Sequence, residues 1–130
     1  MADTLAPKWL ELALDDLDTA ALIARHGKLV YAAFHCQQAT EKALKGLYAL
    51  LFAEQPPYIH DLVRLHGLVE KKLPNCPGER LFLNEISIYY ITARYPSYRE
   101  HVASKLNADK VAEYIRSARE CVECLRRQLK

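Results

Sequence analysis

What most constrains the fold is where the helix-breaking residues fall. Gly27, Pro56-Pro57, the stretch 73–78 with its two prolines and Gly78, and Pro96 punctuate a chain whose intervening runs carry apolar residues at helical spacing. Proline has no backbone donor and its ring clashes with the preceding turn, so these breaks read as boundaries between helices. Between them Ala, Leu, Glu, Lys and Arg abound, and the whole chain holds only four Gly and six Pro. Such a composition disfavours a sandwich or barrel built on Gly-rich turns and predicts an all-α protein. With 130 residues there is material for one hydrophobic core, so a single domain over residues 1–130 is expected.

The first helical pattern spans residues 5–26, where Leu10, Ala13, Leu14, Leu17, Ala20, Ala21 and Ala24 form an apolar stripe. Thr4 is the expected N-cap and Gly27 the expected stop. The second, over 29–53, lines Ala32, Cys36, Ala39, Ala43, Gly46 or Leu47, and Leu50 along one side. Those small side chains would let a neighbouring helix approach closely. His35, Gln38, Glu41, Lys42 and Lys45 form a polar ridge on the other side, a pattern that usually faces water. A short third helix over 60–72 carries Leu62, Leu65, Leu68 and Val69, and a fourth over 79–93 carries Phe82, Leu83, Ile86, Tyr89 and Tyr90. The fifth starts at Asn107, a good N-cap with Asp109 in the first turn, and holds a near-heptad stripe from Val111 to Leu129. The expected architecture is an up-and-down bundle of about five helices, four long and one short, with 94–106 as a long irregular connection.

Eighteen Lys plus Arg against sixteen Asp plus Glu leave a formal charge of +2, too near neutral to imply a nucleic-acid partner from totals; a basic patch has to be local. Neither a signal peptide nor a run of membrane-spanning length is evident, so a cytoplasmic location with reduced thiols and no membrane association is expected. Cys121 and Cys124 form a C-x-x-C without a second ligand pair at zinc spacing, so packing is the expected role of Cys121, with Cys124 nearer the helix edge. No metal or other cofactor is expected, and the lack of a carboxylate cluster at binding spacing disfavours a two-metal nuclease.

Arg94 and His101 bracket Pro96 in the run Arg94-Tyr95-Pro96-Ser97-Tyr98-Arg99-Glu100-His101. An Arg and a His at a break between helices suit metal-free phosphodiester chemistry, the His moving protons and the Arg stabilising developing negative charge. They suit a solvated loop equally well. Arg94 would then pair with Asp16, Glu41 or Glu85, and His101 would face water. His60 is expected to cap its helix or pack beneath Pro56-Pro57, and His35 and His66 have no partner at metal spacing.

Four elements in order carry a resemblance: Ala13-Leu14-Asp15-Asp16-Leu17, the run from Phe34 to Lys45 containing Gln37-Gln38-Ala39-Thr40-Glu41-Lys42-Ala43-Leu44-Lys45, His60-Asp61-Leu62, and Arg94-Tyr95-Pro96. Together they resemble the HEPN family, named for higher eukaryotes and prokaryotes nucleotide-binding. The resemblance implies a small helical bundle that dimerises. Many HEPN proteins resemble metal-independent endoribonucleases with an Arg, four to six residues, and a His, which Arg94 and His101 match at the upper limit. By that likeness Arg94 binds the scissile phosphate and His101 acts as acid or base. Toxin-type members often continue as His-x-Tyr, whereas Val102 and Ala103 follow here, and the Arg-Tyr-Pro form resembles a branch with a degraded catalytic motif.

Gln38, Glu41, Lys42 and Lys45 would line a nucleotide cleft with Arg94, or else face water. Tyr95 and Tyr98 beside Arg99 would stack bases of single-stranded RNA or form interface, and Tyr89 or Tyr90 is expected in a homodimer contact. The resemblance further implies a small nucleotidyltransferase partner in a two-component, toxin–antitoxin-like module. The alternative is a non-catalytic nucleotide-binding or scaffolding dimer that holds such a partner.

Overall fold

The computed structural model, which describes residues 5–130, is built of helices joined by turns and loops, and no strand occurs among the described residues. Helix α1 (Leu5–Arg25) and helix α2 (Leu29–Phe52) form an antiparallel pair. The turn between them is closed by Gly27 at φ 76°, with Gly27 N–H donating to the Ala24 carbonyl and Lys28 N–H to that of Ile23. This pairing satisfies the last carbonyls of α1 and needs the left-handed conformation that glycine adopts without strain. The expected cap Thr4 lies outside the described residues.

Helix α2 ends at Ala53, itself left-handed at φ 55°, and Pro56-Pro57 prevents its continuation. Helix α3 (Leu62–Glu70) is capped by Asp61, whose carboxylate accepts from Arg64 N–H. His60 therefore does not cap, in contrast to the expectation from sequence. Helix α4 (Arg80–Ser87) and the single turn α5 (Tyr89–Thr92) together occupy the predicted fourth helix, interrupted at Ile88. The hydroxyls of Ser87 and Thr92 donate back to the carbonyls of Leu83 and Ile88, a competition with the helical ladder that bends helices.

The segment 94–106 is not the long irregular connection expected from Pro96. It folds into helix α6 (Pro96–Ala103), with Pro96 in the first turn and Tyr95 extended before it. At the first helical position the missing N–H would be unpaired anyway, so proline starts a helix there instead of breaking one. Helix α7 (Ala108–Gln128) follows, capped as expected by Asn107, whose side chain accepts from Lys110 N–H.

Helix α2 is the centre of the bundle and packs against every other helix. Ala32, Ala33, Cys36, Ala39, Ala43, Leu44 and Leu47 are fully buried along it. Gly46 is the point of closest approach: a Cβ there would lie 2.5 Å from Leu125 Cδ2 of α7 and 3.0 Å from Trp9 Cβ of α1. Of Tyr89 and Tyr90, one of which is expected in an interface between copies, Tyr89 is packed in the core, edge-on to Tyr114. Cys121 and Cys124 are both buried, in contrast to the expectation that Cys124 lies near the helix edge. Exposed apolar side chains remain on α1 (Leu12, Leu22) and around α5 and α6 (Ile88, Ile91, Tyr95, Tyr98).

The two helical glycines without special backbone angles separate packing from propensity. Gly46→Val is expected to lower stability by about 1–3 kcal/mol through overpacking between α1 and α7. Gly67→Ala, in α3 with nothing within 4 Å of the new methyl, should raise it by about 0.5–1 kcal/mol. Chemical denaturation of the two variants measures both; a neutral Gly46→Val would contradict the close approach.

Candidate functional site

The polar ridge of α2 is not a solvated face. Because α2 is surrounded, Glu41 and Lys45 are each only 6% exposed and Gln37 is fully buried. Burial of charge on this scale requires partners, and the partners are present. The Glu41 carboxylate accepts from Gln37 Nε2 at 3.0 Å, from Lys45 Nζ at 3.1 Å and from His60 Nδ1 at 3.0 Å. Lys45 Nζ also lies 5.9 Å from the centre of the Trp9 ring, so α1 closes over the pair.

Above this cluster stands a stack. The His60 imidazole lies nearly parallel to the Tyr90 ring at 4.3 Å, and the Arg94 guanidinium lies over Tyr90 at 4.4 Å. Arg94 also reaches the Phe34 ring of α2 at 5.8 Å. No carboxylate pairs with Arg94 among the described residues: Asp16, Glu41 and Glu85, its expected partners, are all taken by other groups. Its charge rests against aromatic rings on an exposed side chain, where its donors can receive an anion.

A second carboxylate cluster flanks the first on the same helix. Asp16 of α1 is largely buried, pairs with Lys42 Nζ, and accepts from His35 Nδ1 at 2.8 Å. The His35 ring meets that of Phe34 edge-on at 5.3 Å. Gln38, between these groups on α2, donates to the Gln37 side chain at 2.7 Å. Gln38, Glu41, Lys42 and Lys45 thus stand in hydrogen-bonded clusters along α2, and Arg94 reaches that helix through Phe34 and, by way of Tyr90, the His60 partner of Glu41. Lys42 and Lys45, however, are already engaged with carboxylates.

The α6 residues go elsewhere. Tyr95 and Tyr98 are 56% and 59% exposed and meet edge-on at 6.4 Å. Arg99 turns back to Tyr31 at the start of α2, stacking on its ring at 4.4 Å and donating to its hydroxyl at 2.9 Å. His101 is exposed and lines a different groove, with Glu85, Tyr89, Lys105, Lys110 and Tyr114 among its walls. No hydrogen bond joins Arg94 to His101 within the chain among the described residues, since α6 carries His101 away from the α2 face.

Sequence reasoning missed Asp16, His35 and His60 as partners in a site, along with Tyr90 and Phe34 as its aromatic supports. No local signal marks the carboxylate–histidine pairs, since each joins two different elements.

The thiols sit apart from this region. Burial pushes Cys36 and Cys121 up to about 12, and a hydrogen bond to Cys76, aided by Arg127, draws Cys124 down to about 7 against the effect of burial. Cys76 rises, through the same thiol contact with Cys124 and through burial. No group of three or more His, Cys, Asp or Glu is placed to hold a metal ion among the described residues, and none of their helices is long and apolar enough to cross a membrane.

A model of the HEPN domain family matches residues 6–128. Among solved structures the chain is similar to TT1696 from Thermus thermophilus, with 26% identity and a TM-score of 0.72 over 94% of this chain and 96% of that one. A search of curated proteins found no match.

Glu41→Ala leaves Lys45 buried without its counter-charge and is expected to lose about 3–5 kcal/mol of stability. The double variant Glu41→Leu with Lys45→Met should recover most of that loss, and denaturant titration of the three proteins measures the difference. The raised thiols predict a second effect. Cys36 and Cys121 stay protonated in the fold to about 12, whereas in the unfolded chain they ionise near pH 9. Their contribution is whole below the unfolded value and is lost as pH rises through the folded one, so stability should fall on going from pH 8 towards pH 11. A denaturation midpoint that stays flat over that range would contradict it.

Proposed function

The chain belongs to the HEPN domain family, and we propose that within it the protein is a nucleotide- or single-stranded-RNA-binding subunit whose phosphate ligand is Arg94. The observation that supports this most is the Arg94 side chain itself, exposed, with its guanidinium over Tyr90 and near Phe34 and no carboxylate paired with it among the described residues. A flat guanidinium presents paired N–H groups in the geometry of a phosphate, and aromatic neighbours such as Tyr95 and Tyr98 offer faces on which bases stack.

The proposed assembly is a two-fold homodimer in the cytoplasm, formed through the exposed apolar side chains of α1 or those around α5 and α6. It would hold a small nucleotidyltransferase in a two-component, toxin–antitoxin-like module, with RNA or nucleotide as the shared ligand. A second reading, metal-independent cleavage of RNA by Arg94 and His101, is favoured by their spacing. No hydrogen bond joins the two within one chain among the described residues, and an alternative arrangement brings Arg94 of one copy to His101 of another. The non-catalytic scaffolding dimer keeps the same Arg94 site and omits this meeting.

Fluorescence anisotropy with a labelled single-stranded oligoribonucleotide tests the binding function. Arg94→Ala is expected to weaken binding at least about tenfold, the loss of one or two charge-assisted hydrogen bonds, and to reduce the salt slope by about one. Arg94→Lys should not restore it, because a point charge lacks the fork and the stacking plane. The exposed Arg119→Ala on α7 serves as the control. Equal binding by wild type and Arg94→Ala would overturn the proposal.

A further inference from the structure

Three of the four cysteines converge at one point of the fold, away from Arg94. Cys76 lies in the connection between α3 and α4, and Cys121 and Cys124 lie one turn apart on α7. The Cys76 and Cys121 thiols donate to the same acceptor, the Pro77 carbonyl, at 3.5 and 3.6 Å. Cys124, three residues beyond Cys121 and so on the same side of the helix, is hydrogen-bonded to the Cys76 thiol itself.

The connection that carries Cys76 is held in place. His66 Nε2 of α3 donates to the Cys76 carbonyl at 3.0 Å. Gly78, at φ 134°, turns the chain against the same ring, where a Cβ would lie 2.9 Å from His66 Cδ2. Pro74 and Pro77 fix φ on either side of Cys76. Two thiols kept in contact by a fixed loop and a long helix lose little freedom on joining, which favours a bond between them over one to any other thiol.

The four thiols also differ in reach. Cys36 and Cys121 are fully buried, whereas Cys76 and Cys124 keep 7% and 4% exposure. Cys124 is moreover drawn down to about 7 by the Cys76 thiol, with Arg127 helping, so at neutral pH it carries much of its population as the nucleophilic thiolate.

We propose that Cys76 and Cys124 are a redox-responsive pair, which hydrogen peroxide converts to an intramolecular disulfide that ties the α3–α4 connection to α7. The Cys124 sulfur attacks one peroxide oxygen and the oxygen–oxygen bond breaks. Cys124 becomes a sulfenic acid, and the departing hydroxide takes up the Cys124 proton as water. The Cys76 sulfur then bonds to the Cys124 sulfur as the sulfur–oxygen bond breaks, and the hydroxyl leaves with the Cys76 proton as a second water. Two thiols are oxidised by two electrons in all, and one peroxide is reduced by two. The segment closed by this bond contains α4, α5 and α6, and with them Tyr90 and Arg94. Its ends are then joined in the unfolded chain as well, so the oxidised protein resists unfolding more than the reduced one.

The test treats the folded full chain with hydrogen peroxide, blocks the remaining thiols with iodoacetamide in denaturant, and maps the peptides by mass spectrometry. Digestion combines trypsin with a glutamate-specific protease, because Cys121 and Cys124 share a tryptic peptide that Glu123 divides. The alkylated cysteines should fall from four to two, with the Cys76 and Cys124 peptides cross-linked, and dithiothreitol should restore all four. Dimedone present during oxidation should label Cys124 and suppress the cross-link. In Cys76→Ser the label should persist and the cross-link vanish, while Cys36→Ala oxidises as wild type. The wild-type map decides the matter even if Cys76→Ser fails to fold. The proposal is overturned if four thiols remain alkylatable after peroxide, if the cross-link joins Cys121 to Cys124 or one chain to another, or if the oxidised chain has no higher denaturation midpoint than the reduced one.

Discussion

Glu41 is a carboxylate inside a helical bundle, and its solvation is supplied by three side chains instead of water. Removing it from solvent is unfavourable by several kcal/mol unless the attraction of Lys45 and the hydrogen bonds of Gln37 and His60 compensate. That requirement links four parts of the chain. Two of the partners lie one turn away on α2, the third arrives from the connection to α3, and Trp9 of α1 shields the ammonium. Since His60 is stacked under Tyr90 and Tyr90 under Arg94, the orientation of the exposed guanidinium is tied to the buried charge. The price of burying Glu41 is a network that positions a surface cation.

The helical skeleton was readable from the sequence because its signals are local. The Gly27 stop, the Asn107 cap and the Pro56-Pro57 break each act within a turn of where they stand, and the small residues of α2 announced close packing. Pro96 was misleading because proline is ambiguous: it ends a helix from inside but starts one at the first position, and only the extended Tyr95 before it decides between them. The interruption at Ile88 depends on the hydroxyls of Ser87 and Thr92 turning inward, a choice the apolar periodicity does not express.

The site was partly legible. The residues that carried the HEPN resemblance, Asp16, His35, Gln38, Glu41, Lys42, Lys45, His60 and Arg94, are those that meet around α2. Their environment was not legible, because a mixed-charge helix face looks solvated until a third element covers it. The two carboxylate–histidine contacts each join different elements, α1 to α2 and α2 to the start of α3. Single-element periodicity cannot reveal such pairs. The Arg94–His101 spacing, by contrast, spans a turn and the helix α6, which carries His101 to a groove lined by Glu85, Lys110 and Tyr114.

The proposed phosphate ligand, Arg94, is tied through Tyr90 to His60 and through Phe34 to His35. Long-range proton–nitrogen spectra of the histidine rings, recorded while a short oligoribonucleotide is titrated in, test that role most directly. His35 and His60 are expected to show a proton fixed at Nδ1, facing Asp16 and Glu41, before ligand is added. Their Nε2 signals should then move together with those of the Arg94 guanidinium along a single binding curve. Movement confined to His101 and its α6 neighbours, with the two anchored rings and Arg94 unchanged, would contradict it.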